Sequence, residues 1–319
     1  MKAVRLHGAG TETLTLEDVP EPAARSAAAL VRVYAAAVTP SELGWTPTRQ
    51  QPNGEPRMLP ILGHEFSGVV ATVNGGGNDV RSGDEVFGIL DNWFEDGAEA
   101  EFVVAPLAGL ERKPRTVDHA HAAAIPISGL TAWQALFDRG HLQAGQRVLV
   151  HGAAGGVGSF AVQLARWKGA DVVATAAARS VDLVKRLGAS VVVDYTSQRF
   201  EEIVGPVDVV LDTVGGDTLE RSKRVLTPGG TLVSVASGSK TTPYFFYVKA
   251  NRQQLGDLAR LVDEGILEPL VDSVVPLSNA GDAYQRKPEM GKVVLQVVAG
   301  LQPASSGGGA LAPPVSAGR

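Results

Sequence analysis

The residues best placed to do chemistry run through Val148-Leu149-Val150-His151-Gly152-Ala153-Ala154-Gly155-Gly156-Val157-Gly158-Ser159. A β-branched apolar run enters a loop of small residues, and the loop opens directly into an amphipathic segment, Phe160 to Lys168. Ala153, Gly155 and Gly158 stand at the one, three and six positions of a dinucleotide fingerprint, with Ala in place of the first Gly. Small residues let the backbone turn tightly and approach a pyrophosphate, whose charge then rests on the N–H groups at the helix N-terminus. Ala154, Gly155, Gly156 and Val157 are the expected contacts. A Walker loop does not fit, because Gly158-Ser159 has no Lys between glycine and hydroxyl residue, and no Gly-x-Ser-x-Gly elbow occurs.

A second determinant of such a site lies roughly 20 residues further on, where an acidic side chain binds the ribose 2′-hydroxyl of NAD. Here the next strand ends Val173-Ala174-Thr175-Ala176-Ala177-Ala178-Arg179-Ser180, without a carboxylate. Thr175 and Ala176, at this strand end, are expected among the cofactor-binding residues. Arg179 either takes a 2′-phosphate, as a planar guanidinium does well, or is a solvated residue at a helix start. The missing acid favours NADP(H). Tyr195, after the third strand, is either a second contact to that phosphate or the adenine, or a surface tyrosine.

The chain has no cysteine, which excludes disulfides, thiolate nucleophiles, cysteine-type zinc sites and iron–sulfur clusters. His119 and His121 are spaced i, i+2, so they do not share a helix face and are dismissed as a site. A formal net charge of −5 with no long basic block argues against nucleic acid or an anionic membrane as partner. No apolar run approaches the roughly 20 residues that span a bilayer. The N-terminus, Met1-Lys2-Ala3-Val4-Arg5-Leu6, lacks an apolar signal region, so a cytoplasmic location is expected.

The elements that must position these residues divide the chain. With 319 residues, 44% of them hydrophobic and 20% charged, it has room for two globular domains. Residues 1–118 read as β-rich, with short runs (Leu14–Leu16, Ala29–Val38, Gly68–Val73, Glu85–Ile89, Ala100–Val104) between turns at Gly75–Asp79 and Arg81–Asp84. From about His119, strands at Arg147–His151, Asp171–Thr175, Ser190–Asp194, Val207–Asp212 and Gly230–Val235 alternate with helices. The helices read at Ile127–Arg139, Gly158–Lys168, Ser180–Leu187 and Leu219–Leu226. That rhythm predicts an α/β, doubly wound parallel sheet covered on both faces. A helix at Arg252–Glu264 and strand-like runs at Ser273–Leu277 and Gly291–Val298 follow; with no helix after it, the last run is expected to return to the first domain. Residues 301–319 are mostly Gly, Ala, Ser and Pro with one terminal charge, which predicts a disordered tail.

Several motifs occur in a fixed order: Gly63-His64-Glu65-Phe66-Ser67-Gly68-Val69-Val70, Ser82-Gly83-Asp84-Glu85-Val86, Gly129-Leu130-Thr131-Ala132-Trp133 and Ala153–Gly158. Leu187-Gly188-Ala189, Asp212-Thr213-Val214-Gly215-Gly216 and Gly291-Lys292-Val293-Val294-Leu295 complete the series. Together they resemble the zinc-independent, quinone oxidoreductase-like branch of the medium-chain dehydrogenase/reductase superfamily, over essentially residues 1–300. The resemblance implies a Rossmann doubly wound sheet (119–250) beside a GroES-like β-rich domain (1–118 and 251–300), with the cofactor in the cleft between them. It implies NADPH-dependent, zinc-independent hydride transfer to a quinone or α,β-unsaturated carbonyl, a small-molecule substrate, and a homodimer formed through a sheet edge. Two alternatives stay open: a pathway-specific enoyl reductase on a carrier-bound or natural-product intermediate, and a non-catalytic NADPH-binding protein.

Zinc-containing members of that superfamily use a Cys, a His–Glu pair and a further Cys or Asp. Here Thr39 stands at the first position, so His64 resembles the ligand in name only and is expected to pack or hydrogen-bond beneath the cleft; no metal is expected. By resemblance the cleft lies between Val38–Trp45, Asp91–Phe94 and Tyr244–Val248. Thr131 is placed near the nicotinamide-side phosphate, and Val214 and Phe246 beside the nicotinamide ring. Trp45, Trp93, Phe94, Phe245 and Tyr247 would form an apolar wall suited to a planar substrate. Many relatives carry a Tyr in the first cleft loop, and this chain has none between Val38 and Pro60. Thr39, Tyr244, Tyr247 and solvent are the candidates for proton donor.

Overall fold

A computed structural model describes residues 1–8, 13–23, 25–75, 79–236 and 242–298. The expected tail at 301–319 and part of the expected 75–79 turn lie outside the described residues.

The first half is built of β1 (Lys2–His7), β2 (Thr13–Asp18), β3 (Ala28–Ala37), a short α1 (Thr46–Arg49), β4 (Glu65–Asn74), β5 (Glu85–Ile89), β6 (Phe102–Pro106) and β7 (Leu110–Arg112). Next come α2 (His119–Ala123), α3 (Pro126–Trp133), β8 (Arg147–Val150), α4 (Gly156–Trp167), β9 (Asp171–Ala176), α5 (Val181–Leu187) and β10 (Val191–Asp194). The chain continues through β11 (Val207–Asp212), α6 (Asp217–Ser222), β12 (Leu226–Ser234), α7 (Arg252–Asp263), β13 (Val271–Pro276), α8 (Ala280–Gln285) and β14 (Lys292–Gln296).

The five parallel strands take the order β10-β9-β8-β11-β12. Their sense of winding reverses between β8 and β11, and the crevice beyond the carboxyl ends at that point is where such sheets bind ligands. Val148, Leu149 and Val150 are fully buried, as a central strand covered on both faces requires. A second sheet runs β13-β14-β3-β4-β5-β7, with β6 also on β3, while β1 and β2 pair antiparallel on their own. The last strand does return to the first sheet: Val294 and Leu295 of β14 pair antiparallel with Ala37 and Ala36. One apolar core joins Phe87 and Ile89 of β5 to Ile125 and Leu130 and on to Phe160, Leu164, Leu255 and Leu258. This continuity fixes the two sheets relative to each other.

Several boundaries differ from expectation. The Ile127–Arg139 helix begins at Pro126 and is α-helical only to Trp133; Gln134–Arg139 forms a π-helical turn. There Gly140 N–H donates to Ala135 C=O, and the Gln134 carboxamide holds both backbone polar groups of Lys249. The Leu219–Leu226 helix ends at Ser222, because Leu226 already pairs with Val207 in the sheet. The Ala100–Val104 strand shifts to Phe102–Pro106, where pairing with β3 is continuous. Strand β1 and helices α2 and α8 escaped the sequence reading, being short and stabilised by tertiary contacts more than by local pattern. Among the described residues no helix is long and apolar enough to cross a membrane.

Candidate active site

The phosphate loop is shaped by two glycines. Gly152 turns at φ +66°, which an L side chain rarely adopts, and a Cβ there would run into the Thr213 side chain. Gly158 lies against the Gly152 carbonyl so closely that no Cβ fits, which lets α4 sit on the loop. Gly155, the residue before α4, carries no side-chain cap, and a Cβ on it would meet only the Gly152 carbonyl at 3.4 Å. The N–H groups of Val157 and Gly158 find no acceptor among the described residues. They are the free donors of a helix start, where the helix dipole favours an anion. The loop is pinned from outside by Gly291 N–H, 2.8 Å from the Ala154 carbonyl. These residues fit a dinucleotide pyrophosphate.

At the end of β9 the side chains of Thr175 and Ala176 are buried. Thr175 is committed to the fold: its carbonyl accepts Ala153 N–H at 3.1 Å and its hydroxyl bonds His151 Nδ1 at 3.0 Å. His151 Nε2 in turn donates to Ser222 Oγ at 2.9 Å, and burial pulls the imidazole down to about 4. Arg179 is exposed, its Nε 3.5 Å from Glu289. Tyr195, 60% exposed, is anchored by its N–H on the Ala176 carbonyl, so Ala176, Arg179 and Tyr195 share one corner of the sheet. Sequence reasoning missed Asp194 here. Its carboxylate already accepts from Thr196 N–H and from the hydroxyls of Thr196 and Ser197, and those hydrogen bonds hold it below the usual carboxylate range.

Beside the phosphate loop opens a cavity of about 720 Å³. Thr39 and Trp45 line it from one loop and Trp93 from a second; Phe245, Phe246 and Tyr247 come from the segment after β12, and Thr131 and Val157 from α3 and α4. All three loops expected at the cleft therefore meet there. Trp45 and Trp93 stand edge to face, with ring centroids 5.2 Å apart, and Phe245 and Tyr247 do likewise at 4.9 Å. Phe94 and Tyr244 are not part of the wall: Phe94 is partly exposed, and Tyr244 lies under the Lys223 ammonium. Val214 is 56% exposed beside Gly152, on a turn held by buried Asp212, which accepts from the N–H groups of Val214 and Gly215.

Beneath the aromatic wall lies a polar layer. His64 is buried against Trp93 and Trp45, and its Nδ1 donates to Glu42 Oε1 at 2.5 Å. Glu99 accepts from the Tyr284 hydroxyl at 2.8 Å; burial, reinforced by the Glu42 charge, pushes its carboxyl up to about 8. Lys292 Nζ reaches Glu65 Oε1 at 2.6 Å and donates to Thr39 Oγ1 at 2.7 Å. The other Glu65 oxygen accepts Ile127 N–H at the start of α3, at 2.9 Å, and burial raises this carboxyl against the pull of Lys292. Glu42 gave no signal in the sequence. Lys292 did, through its place in the Gly291–Leu295 motif, which also lays its side chain along Gly156.

This donor set does not fit zinc. The chain has no thiol, the Thr39 oxygen and the Glu65 carboxylate already hold an ammonium, and His64 contributes one imidazole nitrogen. Among the described residues no group of three or more His, Asp or Glu side chains could hold a metal ion.

A doubly wound sheet with a glycine loop at its switch point, facing an aromatic cavity shared with a β-rich half, is the arrangement of a dinucleotide-dependent enzyme. A family model described as an alcohol dehydrogenase GroES-like domain matches residues 25–115, and one described as a zinc-binding dehydrogenase matches 187–295. The chain is 31% identical over 323 residues to the human mitochondrial NAD(P)H oxidoreductase RTN4IP1, covering 84% of this chain and 81% of that one. It is 32% identical over 301 residues to an NADPH-dependent alkenal/one oxidoreductase of Arabidopsis thaliana chloroplasts, covering 90% and 76%. The solved quinone oxidoreductase of Coxiella burnetii superposes with a TM-score of 0.83 at 30% identity, covering 93% of this chain and 99% of that one. The chain belongs to the medium-chain dehydrogenase/reductase superfamily, in its quinone oxidoreductase-like branch, and is an oxidoreductase with a nicotinamide cofactor.

Proposed function

We propose that the protein is an NADPH-dependent, metal-independent reductase of quinones or α,β-unsaturated carbonyl compounds. The observation that carries this reading is the aromatic cavity of about 720 Å³ that adjoins the free N–H groups of α4. Bound there, NADPH supplies a hydride. The N–H groups of Val157 and Gly158 hold the pyrophosphate, and Arg179 and Tyr195 take the 2′-phosphate end. Val214, Thr131 and Phe246 border the nicotinamide. Trp45, Trp93, Phe245 and Tyr247 orient a flat acceptor and keep water from it. Residues 119–250 serve the cofactor and lend Phe245 and Tyr247 to the acceptor wall, and 1–118 with 251–300 form the rest of the acceptor side.

Metal independence is supported by the absence of thiols and by Lys292, whose ammonium occupies Thr39 and Glu65. A homodimer and a cytoplasmic location complete the proposal; β12, at the sheet edge, is the surface for the former. Sedimentation and cell fractionation test these two points.

The test of activity mixes the protein with NADPH and a panel of quinones, enones and acyl thioesters, with and without a chelator, and follows absorbance at 340 nm. Loss of absorbance with a quinone or enone, unchanged by the chelator, is expected. Turnover of thioesters alone would transfer the assignment to a pathway-specific enoyl reductase. Tight NADPH binding without turnover on any acceptor would leave a non-catalytic binding protein.

A further inference from the structure

We infer that Thr39 is the catalytic hydrogen-bond donor to the acceptor's oxygen, and that Lys292 is the positioning residue that aims it. The inference rests on the reductase reading above and names the group that meets the developing charge.

A hydroxyl has one hydrogen to give and two lone pairs to offer. Lys292 Nζ is a donor only, so at 2.7 Å it occupies a lone pair of Thr39 Oγ1 and leaves the hydroxyl hydrogen unused. That hydrogen has no acceptor among the described residues, and the Thr39 side chain does not cap the short 3₁₀ turn that follows it. Thr39 lies on the cavity wall, on the same loop as Trp45. The hydroxyl is thereby left with one use, which is to donate into the cavity.

The ammonium strengthens that donor. Lys292 is 11% exposed and its partner Glu65 is fully buried, so the pair's field is poorly screened at Thr39. Glu65 neutralises the pair as a whole, but its second oxygen is tied to Ile127 N–H. The hydroxyl is bonded directly to the positive partner. Other hydroxyls reach the wall at Ser41, Thr46, Thr131 and Tyr247, and among the described residues none of them is bonded to a cation. Tyr247 is 62% exposed, at the cavity rim, and Tyr244 is off the wall altogether.

In the reaction this fits, a carbon–hydrogen bond forms at the β-carbon of an enone with hydride from NADPH. The carbon–carbon π pair moves toward the carbonyl and leaves an enolate oxygen. Thr39 donates its hydrogen bond to that oxygen without losing the proton. The enolate then takes a proton at its α-carbon from water, and NADP⁺ and the saturated ketone are released. A quinone gains more from forming an aromatic ring and depends less on such a donor.

Two measurements test the inference. The first compares Thr39→Val, Thr39→Ser and wild type on one enone and one quinone, with NADPH affinity followed by fluorescence. Thr39→Val is expected to lower kcat on the enone by about 10²-fold, the scale for removing one oxyanion donor, with a smaller loss on the quinone and unchanged NADPH affinity. Thr39→Ser should restore the enone rate to within a few-fold.

The second needs no cofactor: 4-nitrophenol is bound in the cavity and titrated by its absorbance. A downward shift of its ionisation in wild type, lost in both Thr39→Val and Lys292→Met, is expected. Equal enone kcat in Thr39→Val and wild type, or a nitrophenol titration unchanged in Thr39→Val, would overturn the role of Thr39. If wild type reduces no acceptor, the reductase reading fails and the nitrophenol titration still decides whether Thr39 is an oxyanion donor. A wild type that neither reduces an acceptor nor binds nitrophenol overturns both.

Discussion

The carboxylate of Glu65 and the ammonium of Lys292 meet at 2.6 Å in a nearly dry layer that joins three parts of the chain. Glu65 opens β4, Lys292 opens β14, and Glu65 also receives the first turn of α3 through Ile127 N–H. Gly291, one residue before Lys292, holds the phosphate loop at Ala154. One ion pair thus ties the cavity wall to the cofactor loop. Removing one partner strands a buried charge, so Glu65→Leu and Lys292→Met should each destabilise the fold by about 3 kcal/mol. The double variant should cost much less than the sum. Urea melts of all three check this, and additive losses would deny the coupling.

The two glycines flanking the start of α4 should respond differently. Gly158→Ala forces a methyl into the Gly152 carbonyl and should lower stability by about 1–3 kcal/mol. Gly155→Ala meets only ordinary contact at 3.4 Å, so its melting temperature should hold while NADPH affinity falls, because the methyl crowds the cradle. Thermal melts paired with fluorescence titration separate the two effects.

Arg179→Ala should weaken NADPH binding by about 1–3 kcal/mol and spare NADH, since its exposed guanidinium has only a loose partner in Glu289. Equal losses for the two cofactors, measured by titration in the same buffer, would remove Arg179 from the 2′-phosphate site. High salt should shrink the difference.

Stability should depend on pH through two buried groups with opposite slopes. The His151 imidazole is lowered from 6.5 to about 4, so the unfolded chain binds its proton first. Its contribution is complete above pH 6.5 and is lost as pH falls toward 4, by up to about 3 kcal/mol. His151→Gln should flatten that acid limb of a urea-midpoint curve. The Glu99 carboxyl is raised from 4.5 to about 8, so its contribution is present below pH 4.5 and is lost as pH rises toward 8. Glu99→Gln keeps an acceptor for the Tyr284 hydroxyl and should raise stability at pH 8 while changing little at pH 4.5.

Much of the fold was legible because it rests on local pattern. The strands Arg147–Val150, Asp171–Ala176 and Val207–Asp212 are short runs dominated by apolar and β-branched residues, and burial on both faces writes itself into such runs. The glycine loop was legible for a steric reason, since Gly158 of the fingerprint stands where no side chain fits. The aromatic wall was legible in part: Trp45, Trp93, Phe245 and Tyr247 line one cavity, whereas Phe94 does not. Neighbours on an irregular loop share no fixed periodicity, so sequence could not separate Trp93 from Phe94.

By itself the sequence determined the doubly wound sheet, the glycine loop that opens into α4, and the want of thiols for a metal. Each of these follows from residue type and spacing within a few turns of chain. Only the tertiary structure decided what fills the polar layer under the cavity. Thr39 and Lys292 are 253 positions apart, Glu99 and Tyr284 are 185 apart, and His64 finds Glu42 across a loop. Such pairs form because a buried polar group must find a partner, and which partner lies within reach is fixed by the packing of the two sheets.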